Sequence, residues 1–265
     1  MKFHFSYCAA LLLSCLAGSA VADNDSKIVT IDGRVIKTSK IEQRENGDLE
    51  YLSPDGKVKN RIARGRFRYA EVPKPASVTA ADQKFREQQW NTAAALYRKA
   101  GTDYKLLGWN AYCVRMEAEA RVRSGEKDKA VQLLQNLHDE REINPDQSLE
   151  RAKADNLLAD LRIDRKEFAE AEKLLNRQLH LEDPALVFSA YFKKAVILQR
   201  QGKRKQAAIL FYQTALLFPS SSRRAEALFN TWSILTELKA PDAAKIAAML
   251  KREYPNSPYA KQVFF

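Results

Sequence analysis

A run of cations is the sequence feature best suited to binding chemistry. In an extended strand, residues two apart share a face, so alternate cations in such a run would form rows of positive charge. These rows suit an anionic polymer, lipid headgroups or an acidic partner, and they equally suit a solvated strand that resists edge pairing. Both interpretations stay open from the sequence. The run contains no acid, and its six basic residues are Lys57, Lys59, Arg61, Arg64, Arg66 and Arg68.

Residues with catalytic chemistry do not form a recognisable group. The sequence contains no Gly-x-Ser-x-Gly, no glycine-rich phosphate loop, no His-Glu-x-x-His and no Cys-x-x-Cys. Acid pairs such as Glu140/Glu142 and Glu170/Glu172 lie in lysine-rich helical stretches, where pairing with cations four residues away is expected. We therefore expect no enzymatic activity, no cofactor and no metal site.

The first 22 residues have the pattern of an export signal. Lys2 precedes an apolar stretch from 7 to 18, and Ala20-Val21-Ala22 has the small-x-small form of a cleavage site. The apolar stretch is shorter than the roughly 20 residues that a spanning helix needs. We expect cleavage after position 22 and a periplasmic or extracellular protein. A lipoprotein signal at Cys15 is an alternative.

Cleavage there would leave a single cysteine, Cys113, and two histidines, His138 and His180. One thiol cannot form an internal disulfide, and the apolar surroundings of Cys113 in the sequence predict burial. A reactive thiol or an intermolecular bridge is the alternative. The histidines are far apart and lack partners at ligand spacing, so neither zinc nor haem is expected.

Composition favours a helix-rich protein with a basic surface. The 265 residues include only 9 Gly and 9 Pro, and the formal net charge of +11 falls to +10 without Lys2. An exported basic chain meets anionic lipid, cell-wall polymer or acidic proteins before nucleic acid. We therefore do not expect a nucleic-acid partner.

Residues 23–72 predict a small, basic, β-rich module. Turn signals at Asp32-Gly33, Asn46-Gly47 and Pro54-Asp55-Gly56 separate runs rich in β-branched residues. We expect four or five short strands that form a curled sheet or an SH3-like barrel. The opening segment 32–36 resembles small β-modules that precede helical repeats in bacterial envelope proteins.

Residues 73–79 predict a proline-rich linker. Pro73 and Pro75 favour an extended chain and exclude a helix, so we place the domain boundary there and a helical domain at 80–265. Within that domain, turn signals are expected at Gly101, Gly125, Asn144-Pro145, Asp183-Pro184, Gly202, Pro219 and Pro241.

A pattern of small and large residues recurs along this domain. An alanine is followed four residues later by a large residue, and an apolar residue stands three positions after the large one. The leading alanines stand at intervals of 37, 41, 37 and 36 residues, which predicts a repeated two-helix unit. The pattern occurs at Ala93/Tyr97/Ala100, Ala130/Leu134/Leu137 and Ala208/Tyr212/Ala215, and more loosely at Ala171/Leu175 and Ala244/Ala248.

These residues resemble the tetratricopeptide repeat (TPR) family over about residues 80–260. Twelve positions before four of the alanines, where the family favours a small residue, stand Ala118, Ala159, Val196 and Trp232, of which two match. The ending 254–260 resembles repeat endings in bacterial envelope proteins of the outer-membrane-assembly and Tol-Pal-coordinator type. The resemblance implies a mainly α, TPR-like solenoid of about five helical hairpins. Hairpins that cannot bury their apolar faces alone must stack.

The resemblance also implies a concave groove that holds a partner segment. Most groove candidates are basic, with an aromatic residue near each end, which predicts a partner segment with acidic residues and an apolar anchor. Ordinary exposed helix residues are the alternative interpretation. Carrying the family's register onto this sequence gives Tyr112, Arg115, Arg123, Lys153, Asn156, Lys193, Arg200 and Phe229.

Two functional hypotheses follow. The first is a non-enzymatic scaffold or adaptor of the bacterial cell envelope that binds protein partners through the repeat groove. The second is an envelope protein that binds an anionic polymer, cell wall or lipid, through the basic β-module while the repeats self-associate. The hypotheses differ in salt sensitivity, because binding through strand cations should weaken steeply with ionic strength.

Overall fold

The structure is a computed structural model that describes residues 26–140 and 147–263. The predicted export signal, the lipoprotein alternative at Cys15 and the predicted turn at Asn144-Pro145 lie outside the described residues. Within the described ranges, no helix combines the length and the apolar character needed to cross a membrane.

In the part of the chain that the structure describes, six strands form two three-stranded antiparallel sheets, one more strand than the upper limit of our prediction. The sheet orders are β2-β1-β6 and β3-β4-β5. The extra strand arises because a turn at Arg64-Gly65, which the sequence analysis missed, divides the basic run between β5 and β6. The strands are β1 (Ser26–Thr30), β2 (Val35–Thr38), β3 (Ile41–Gln43), β4 (Leu49–Leu52), β5 (Lys59–Ile62) and β6 (Phe67–Glu71).

The three predicted turns join consecutive strands. The Asp32-Gly33 turn closes the β1–β2 hairpin, whose last paired residues are Val29 and Val35. The turn at Asn46-Gly47 joins β3 to β4. Gly33 and Gly47 have φ values of 85° and 84°, which suit glycine because it has no Cβ to clash there.

Within residues 26–140 and 147–263, ten α-helices form five hairpins, which confirms the predicted repeat architecture. Each helix packs against the next along the chain. The first helices of the hairpins are α1 (Ala76–Arg86), α3 (Asn110–Arg123), α5 (Ser148–Asp164), α7 (Pro184–Arg200) and α9 (Arg224–Glu237). The second helices are α2 (Trp90–Asp103), α4 (Lys127–Asp139), α6 (Phe168–Gln178), α8 (Arg204–Leu217) and α10 (Ala243–Glu253).

The first helix begins at Ala76, inside the segment 73–79 for which the sequence predicts a linker. Pro75 precedes the first helical residue with a φ of −67°. A proline lacks the N–H that a helix start leaves unpaired anyway, so it is tolerated there. The prolines therefore exclude a helix only before Ala76, and the helical domain begins four residues earlier than predicted.

One residue with positive φ closes the turn inside each hairpin. Two of the five are glycines, and the other three carry side chains in a conformation that costs about 1 kcal/mol. Their intervals of 37, 41, 36 and 37 residues repeat the period of the alanines. The five residues are Gln88, Gly125, Lys166, Gly202 and Lys239.

Four of the five leading alanines, Ala93, Ala130, Ala171 and Ala208, are buried between the two helices of their hairpins, as their spacing predicts. A small residue at this position lets two helices approach closely. In the last hairpin the predicted register is wrong, because Ala244 and Ala248 are exposed.

In the last hairpin and the fourth, the buried residues differ from the predicted ones. In the last hairpin the buried face is formed by Ile246, Ala247 and Leu250. In the fourth hairpin the fully buried aromatic residue is Phe211, whereas the predicted Tyr212 is only half-buried.

Gly101 lies inside helix α2 and is not a turn. A Cβ at this position would stand 3.1 Å from the Cβ of Cys113 on α3. The glycine therefore allows close approach of the first hairpin to the second. Cys113 is fully buried at this contact, which confirms its predicted burial.

The hairpins stack with their first helices on one side. Helix α3 packs against α5 and α5 against α7, whereas no two second helices in the described ranges pack to a comparable extent. The first helices α3, α5 and α7 therefore lie side by side on one surface of the stack. We call the surface formed by α3, α5, α7 and α9 the inner face.

The β-module shares its core with the repeats. Leu107, in the connection between α2 and α3, is buried with Ile28 and Leu49. The backbone N–H of Val72 donates to the carbonyl of Leu107 at 3.3 Å, and the indole N–H of Trp109 donates to the carbonyl of Val72 at 3.0 Å. The described module is therefore anchored on the second hairpin.

Candidate interaction surfaces

The inner face brings the eight groove candidates onto four first helices. Tyr112, Arg115 and Arg123 lie on α3, and Lys153 and Asn156 lie on α5. The remaining three lie further along the stack, with Lys193 and Arg200 on α7 and Phe229 on α9.

Most of these side chains bind the neighbouring hairpin. The Arg115 guanidinium donates to Glu150 at 2.8 Å and lies 5.3 Å from the ring centre of Tyr112. Lys153 donates to the other oxygen of Glu150 at 2.7 Å. Arg115 and Lys153, on adjacent first helices, therefore share one carboxylate.

Lys193 is a buried lysine that joins α7 to α5, so its prediction as an exposed groove residue is wrong. Its ammonium donates to the backbone carbonyl of Asn156 at 2.7 Å and pairs with Asp160 at 2.8 Å. The side chain of Asn156 in turn donates to Gln178 at 2.7 Å. Burial lowers the pKa of Lys193 below its ordinary value of 10.5, and Asp160 opposes this shift.

Three cations remain exposed along the inner face: Arg123, Lys153 and Arg200. Their side chains are 59%, 39% and 44% exposed. Arg200 also donates to the carbonyl of Ile163 on α5 at 2.9 Å, so it is positioned by the preceding hairpin. These three are the groove candidates with the greatest access to a partner.

Phe229 belongs to an aromatic cluster at the C-terminal end of the inner face. Its ring centre lies 5.5 Å from that of Trp232 and 5.4 Å from that of Tyr259. Nearby, the guanidinium of Arg223 lies 4.7 Å from the ring centre of Phe192. This end therefore offers half-buried aromatic surface beside a cation.

The inner face has mixed charge. Glu119 lies near Arg123 at 3.8 Å, and Asp164 pairs with Arg200 at 3.2 Å. Glu119, Glu150, Asp160 and Asp164 therefore lie among the predicted cations, so the inner face carries both signs of charge. Glu119 and Glu150 were readable in the sequence, since each lies three or four residues from a predicted cation on the same helix, whereas Asp160 and Asp164 meet their cations across hairpins.

The six cations of the predicted basic face lie on two strands of different sheets and on the turns beside them. Lys59 and Arg61 lie on β5, whereas Arg68 lies on β6 in the other sheet. The sequence predicts one row of charge from each triplet of cations, and of the first triplet Lys59 and Arg61 share strand β5. Lys57 and Arg66 are exposed beside turns.

Lys59 and Arg61 face acids on the neighbouring strand and its turn. Lys59 pairs with Glu50 at 2.7 Å, and Arg61 donates to Asp48 at 2.8 Å. Hydrogen bonds from Arg44 and Lys59 lower the pKa of Glu50 to about 2. The β5 cations are therefore neutralised locally.

A buried carboxylate joins the chain before α1 to the first two hairpins. The hydroxyls of Tyr97 and Tyr112 donate to one oxygen of Asp82 at 2.6 and 2.8 Å, and Lys74 pairs with the other oxygen. Burial raises the pKa of Asp82, but these three partners outweigh it, so the pKa lies below 3.8. Burial raises the pKa of the adjacent Cys113 thiol to about 12.

The histidines lie outside any metal-binding arrangement in the part of the chain that the structure describes. His138 contacts Asp155 at 2.8 Å and Arg177 at 2.9 Å. Within 26–140 and 147–263, no group of three or more His, Cys, Asp or Glu residues is placed to hold a metal ion.

Comparison with solved structures identifies similar helical repeats. No family model and no curated protein matches the chain. A Podosopora anserina protein described as a kinesin light chain, with nearly identical TPR-like repeats, aligns with a TM-score of 0.53 at 16% identity. The alignment covers 69% of this chain and 96% of that chain.

Two bacterial structures are also similar. BtubC (BKLC) from P. vanneervenii aligns with a TM-score of 0.53 at 19% identity, over 70% of this chain and 84% of that chain. Pseudomonas aeruginosa PilF reaches 0.48 at 20% identity, over 71% and 79%, which is too low to establish a shared fold. With the stacked hairpins described above, the first two similarities show that the helical part of the chain has a TPR-like fold.

Proposed function

We propose that the mature chain is a non-enzymatic scaffold of the bacterial cell envelope that holds a segment of a partner protein on the inner face of its repeats. The observation that carries this proposal is the side-by-side packing of the first helices α3, α5 and α7, which exposes part of Arg123, Lys153 and Arg200, with aromatic residues around Phe229 on the next first helix, α9. Stacked helical hairpins commonly use such a surface to bind extended or helical peptides.

The envelope part of the proposal is supported by the sequence. The export-signal pattern of residues 1–22 and the resemblance to bacterial envelope repeat proteins both favour it. Detection of the mature protein in a periplasmic extract, with Asp23 as its first residue, is the expected result. Retention in the cytosol would contradict it.

The chemistry of the inner face favours a partner segment of mixed charge with one apolar anchor. Each exposed cation has an acid beside it, on its own hairpin or on the preceding one. A partner segment therefore gains from carrying both acidic and basic side chains, spaced to meet the cations and acids of the inner face. The half-buried Phe229 offers contact area for an aromatic or aliphatic side chain. A second copy of the chain is one of the candidate partners.

A capture experiment tests the proposal. The triple variant Arg123→Ala, Lys153→Ala, Arg200→Ala should lose most of the partner that wild-type protein captures from its own envelope fraction. The matched control is Lys129→Ala, Lys173→Ala, Lys205→Ala, which removes three exposed lysines from second helices. Equal capture by both variants would contradict the proposal. Lys193 is left intact because its burial makes it a folding residue.

The alternative, binding of an anionic polymer through the basic β-module, has weaker support. Two of its six cations, Lys59 and Arg61, are already paired with Glu50 and Asp48. A deletion of residues 57–68 would remove β5, so charge substitutions test this alternative more cleanly. Binding of cell-wall polymer or anionic vesicles that disappears in Lys59→Gln, Arg61→Gln would favour it.

A further inference from the structure

Helix α8 carries an apolar stripe on its exposed side. Ile209, Leu216 and Leu217 are 58%, 51% and 58% exposed, and no other helix in the described ranges exposes more than one large apolar side chain. Ile209 and Leu216 are seven residues apart and therefore share a face, with the half-buried Tyr212 between them. At a rise of about 1.5 Å per residue, this face extends over about 10 Å of the helix. We call these four residues the α8 stripe.

The repeat itself does not require apolar residues in the α8 stripe. Ile209 and Leu216 stand seven and fourteen residues after Gly202, the positive-φ residue of their hairpin. The equivalent positions in the first three hairpins are also exposed, but they hold small or polar residues. The stripe is therefore a property of the fourth hairpin and not a consequence of the fold. The equivalent pairs are Ala95 and Thr102, Gln132 and Asp139, and Lys173 and His180.

The hairpin that carries the α8 stripe is basic throughout. Residues 184–225 contain eight lysines and arginines and neither Asp nor Glu. Acids from neighbouring segments pair with several of these cations, as Glu237 does with Arg204 at 3.6 Å. Lys203 and Lys205, at the start of α8, are exposed and pair with no carboxylate among the described residues. Lys205 stands four residues before Ile209, so its cation lies on the same face as the stripe.

The size and charge of the α8 stripe favour a lipid surface over a second copy of the chain. Three aliphatic side chains on one helix cover far less than the about 800 Å² per partner that a stable dimer buries. A membrane surface needs no such matching area. Its acyl chains accept apolar side chains near the headgroups, and its anionic phosphates attract cations that have no acid beside them.

We propose that the α8 stripe docks the protein on the surface of an anionic phospholipid membrane. Ile209, Leu216 and Leu217 enter the headgroup–acyl boundary, Lys203 and Lys205 meet lipid phosphates, and α8 lies parallel to the membrane plane. The stripe belongs to a second helix, so docking leaves the inner face accessible to a partner protein. Because the occupant is lipid, the stripe adds no protein partner, and it can hold or fail independently of the inner-face function.

Vesicle flotation of the mature chain tests the apolar part of the site. The probes are vesicles of phosphatidylcholine alone and of phosphatidylcholine mixed equally with phosphatidylglycerol. Ile209→Gln, Leu216→Gln should weaken binding to the mixed vesicles about tenfold or more, because the aliphatic side chains no longer enter the acyl region. The matched control Val35→Gln, Val58→Gln removes two side chains of the β-module that are each 55% exposed, and it should change binding less than about twofold. Equal weakening by both pairs, or no binding of wild type at millimolar lipid, would overturn the proposal.

A second pair of variants tests the charged part of the site. Lys203→Gln, Lys205→Gln should weaken binding to the mixed vesicles about tenfold, since each lysine near an anionic surface contributes to binding. The matched control Lys99→Gln, Lys173→Gln removes the same charge from exposed positions on α2 and α6 and should change binding less than about threefold. Equal losses would mean that the net charge of the protein, and not this helix, causes the binding, and would overturn the proposal.

Two further measurements separate membrane insertion from self-association. A nitrobenzoxadiazole label on Gln213→Cys, which is exposed between Ile209 and Leu216, should gain fluorescence and protection from iodide on the mixed vesicles. The same label on Lys99→Cys should change little, and equal behaviour of the two labels would overturn the proposal. A dimer in sedimentation velocity that dissociates in Ile209→Gln, Leu216→Gln would assign the stripe to a second copy and would also overturn it. Unchanged circular dichroism and urea midpoints of the variants exclude misfolding as the cause of any loss.

Discussion

The ammonium of Lys193 lies 2.7 Å from the backbone carbonyl oxygen of Asn156, 37 residues earlier in the chain. The sequence separation is one repeat, so the contact joins equivalent faces of two successive hairpins. Arg200 repeats the relationship with Ile163, also 37 residues earlier, at 2.9 Å. Hydrogen bonds between residues one repeat apart thus fix the register between α5 and α7.

Replacing Lys193 with methionine should destabilise the protein by about 2 kcal/mol. The substitution keeps the volume but leaves Asp160 and the Asn156 carbonyl without their donor, and such losses cost about 1–3 kcal/mol. Urea unfolding followed by circular dichroism measures the effect. The control is Lys194→Met, because the Lys194 ammonium makes an exposed hydrogen bond to Asn176 alone among the contacts described. Equal midpoints for the two variants would contradict the assignment of Lys193 as an inter-hairpin bond.

Lys166→Gly should stabilise the protein by about 0.5–1 kcal/mol. Lys166 has a φ of 62°, where a Cβ is strained and glycine is not. Lys166→Ala keeps the Cβ and removes the charged side chain, so it should leave stability within about 0.5 kcal/mol of wild type. Thermal unfolding compares the three proteins. A lower melting temperature for Lys166→Gly than for Lys166→Ala would contradict the left-handed assignment of this turn.

Asp82→Asn should destabilise the protein at pH 7 by about 3 kcal/mol. The substitution removes the buried negative charge that pairs with Lys74 and accepts hydrogen bonds from Tyr97 and Tyr112. The folded-state pKa of Asp82 lies below 3.8. Its contribution is therefore fully present above pH 3.8 and is lost as pH falls through the lower, folded-state value.

The measurement for Asp82 is the difference in unfolding free energy between wild type and Asp82→Asn from pH 7 down to pH 2. The difference should stay constant down to about pH 4 and shrink below it. A difference that grows as the pH falls would mean that the carboxyl is protonated more easily in the folded state, contrary to the assignment.

Cys113 should not react with a thiol reagent in the folded protein. Its side chain is fully buried and its pKa is raised to about 12, so almost no thiolate is present near neutral pH. Ellman's reagent at pH 8 should therefore report no accessible thiol in native mature protein and one in 6 M guanidinium chloride. Rapid labelling of the native protein would support the alternative of a reactive thiol or an intermolecular bridge.

The repeat period and the hairpins were predictable because they depend on local composition. Small residues such as Ala93 and Ala130, and a glycine turn such as Gly125, occur at intervals that any two-helix repeat must preserve. Lys166, by contrast, occupies a left-handed turn position that its residue type does not indicate. Only the period, extended from Gly125 and Gly202, could have located it.

The surfaces were less predictable because they depend on which side chains meet across hairpins and sheets. Lys193 resembles an exposed groove cation until its contacts with Asn156 and Asp160 are known. The rows of charge predicted for the basic run 57–68 say nothing of the acids Asp48 and Glu50 that meet Arg61 and Lys59 on the neighbouring strand and its turn. Distant pairing of this kind leaves no signal in local spacing.

The central claim is that a partner protein lies on the inner face of the stacked repeats, and site-specific photocrosslinking in living cells tests it most directly. A photoreactive amino acid placed in turn at Arg123, Lys153 and Arg200 should give a discrete partner adduct. The same amino acid at Lys129, Lys173 and Lys205 on the second helices should give none. Adducts from the second-helix positions alone, or from neither set, would contradict the claim.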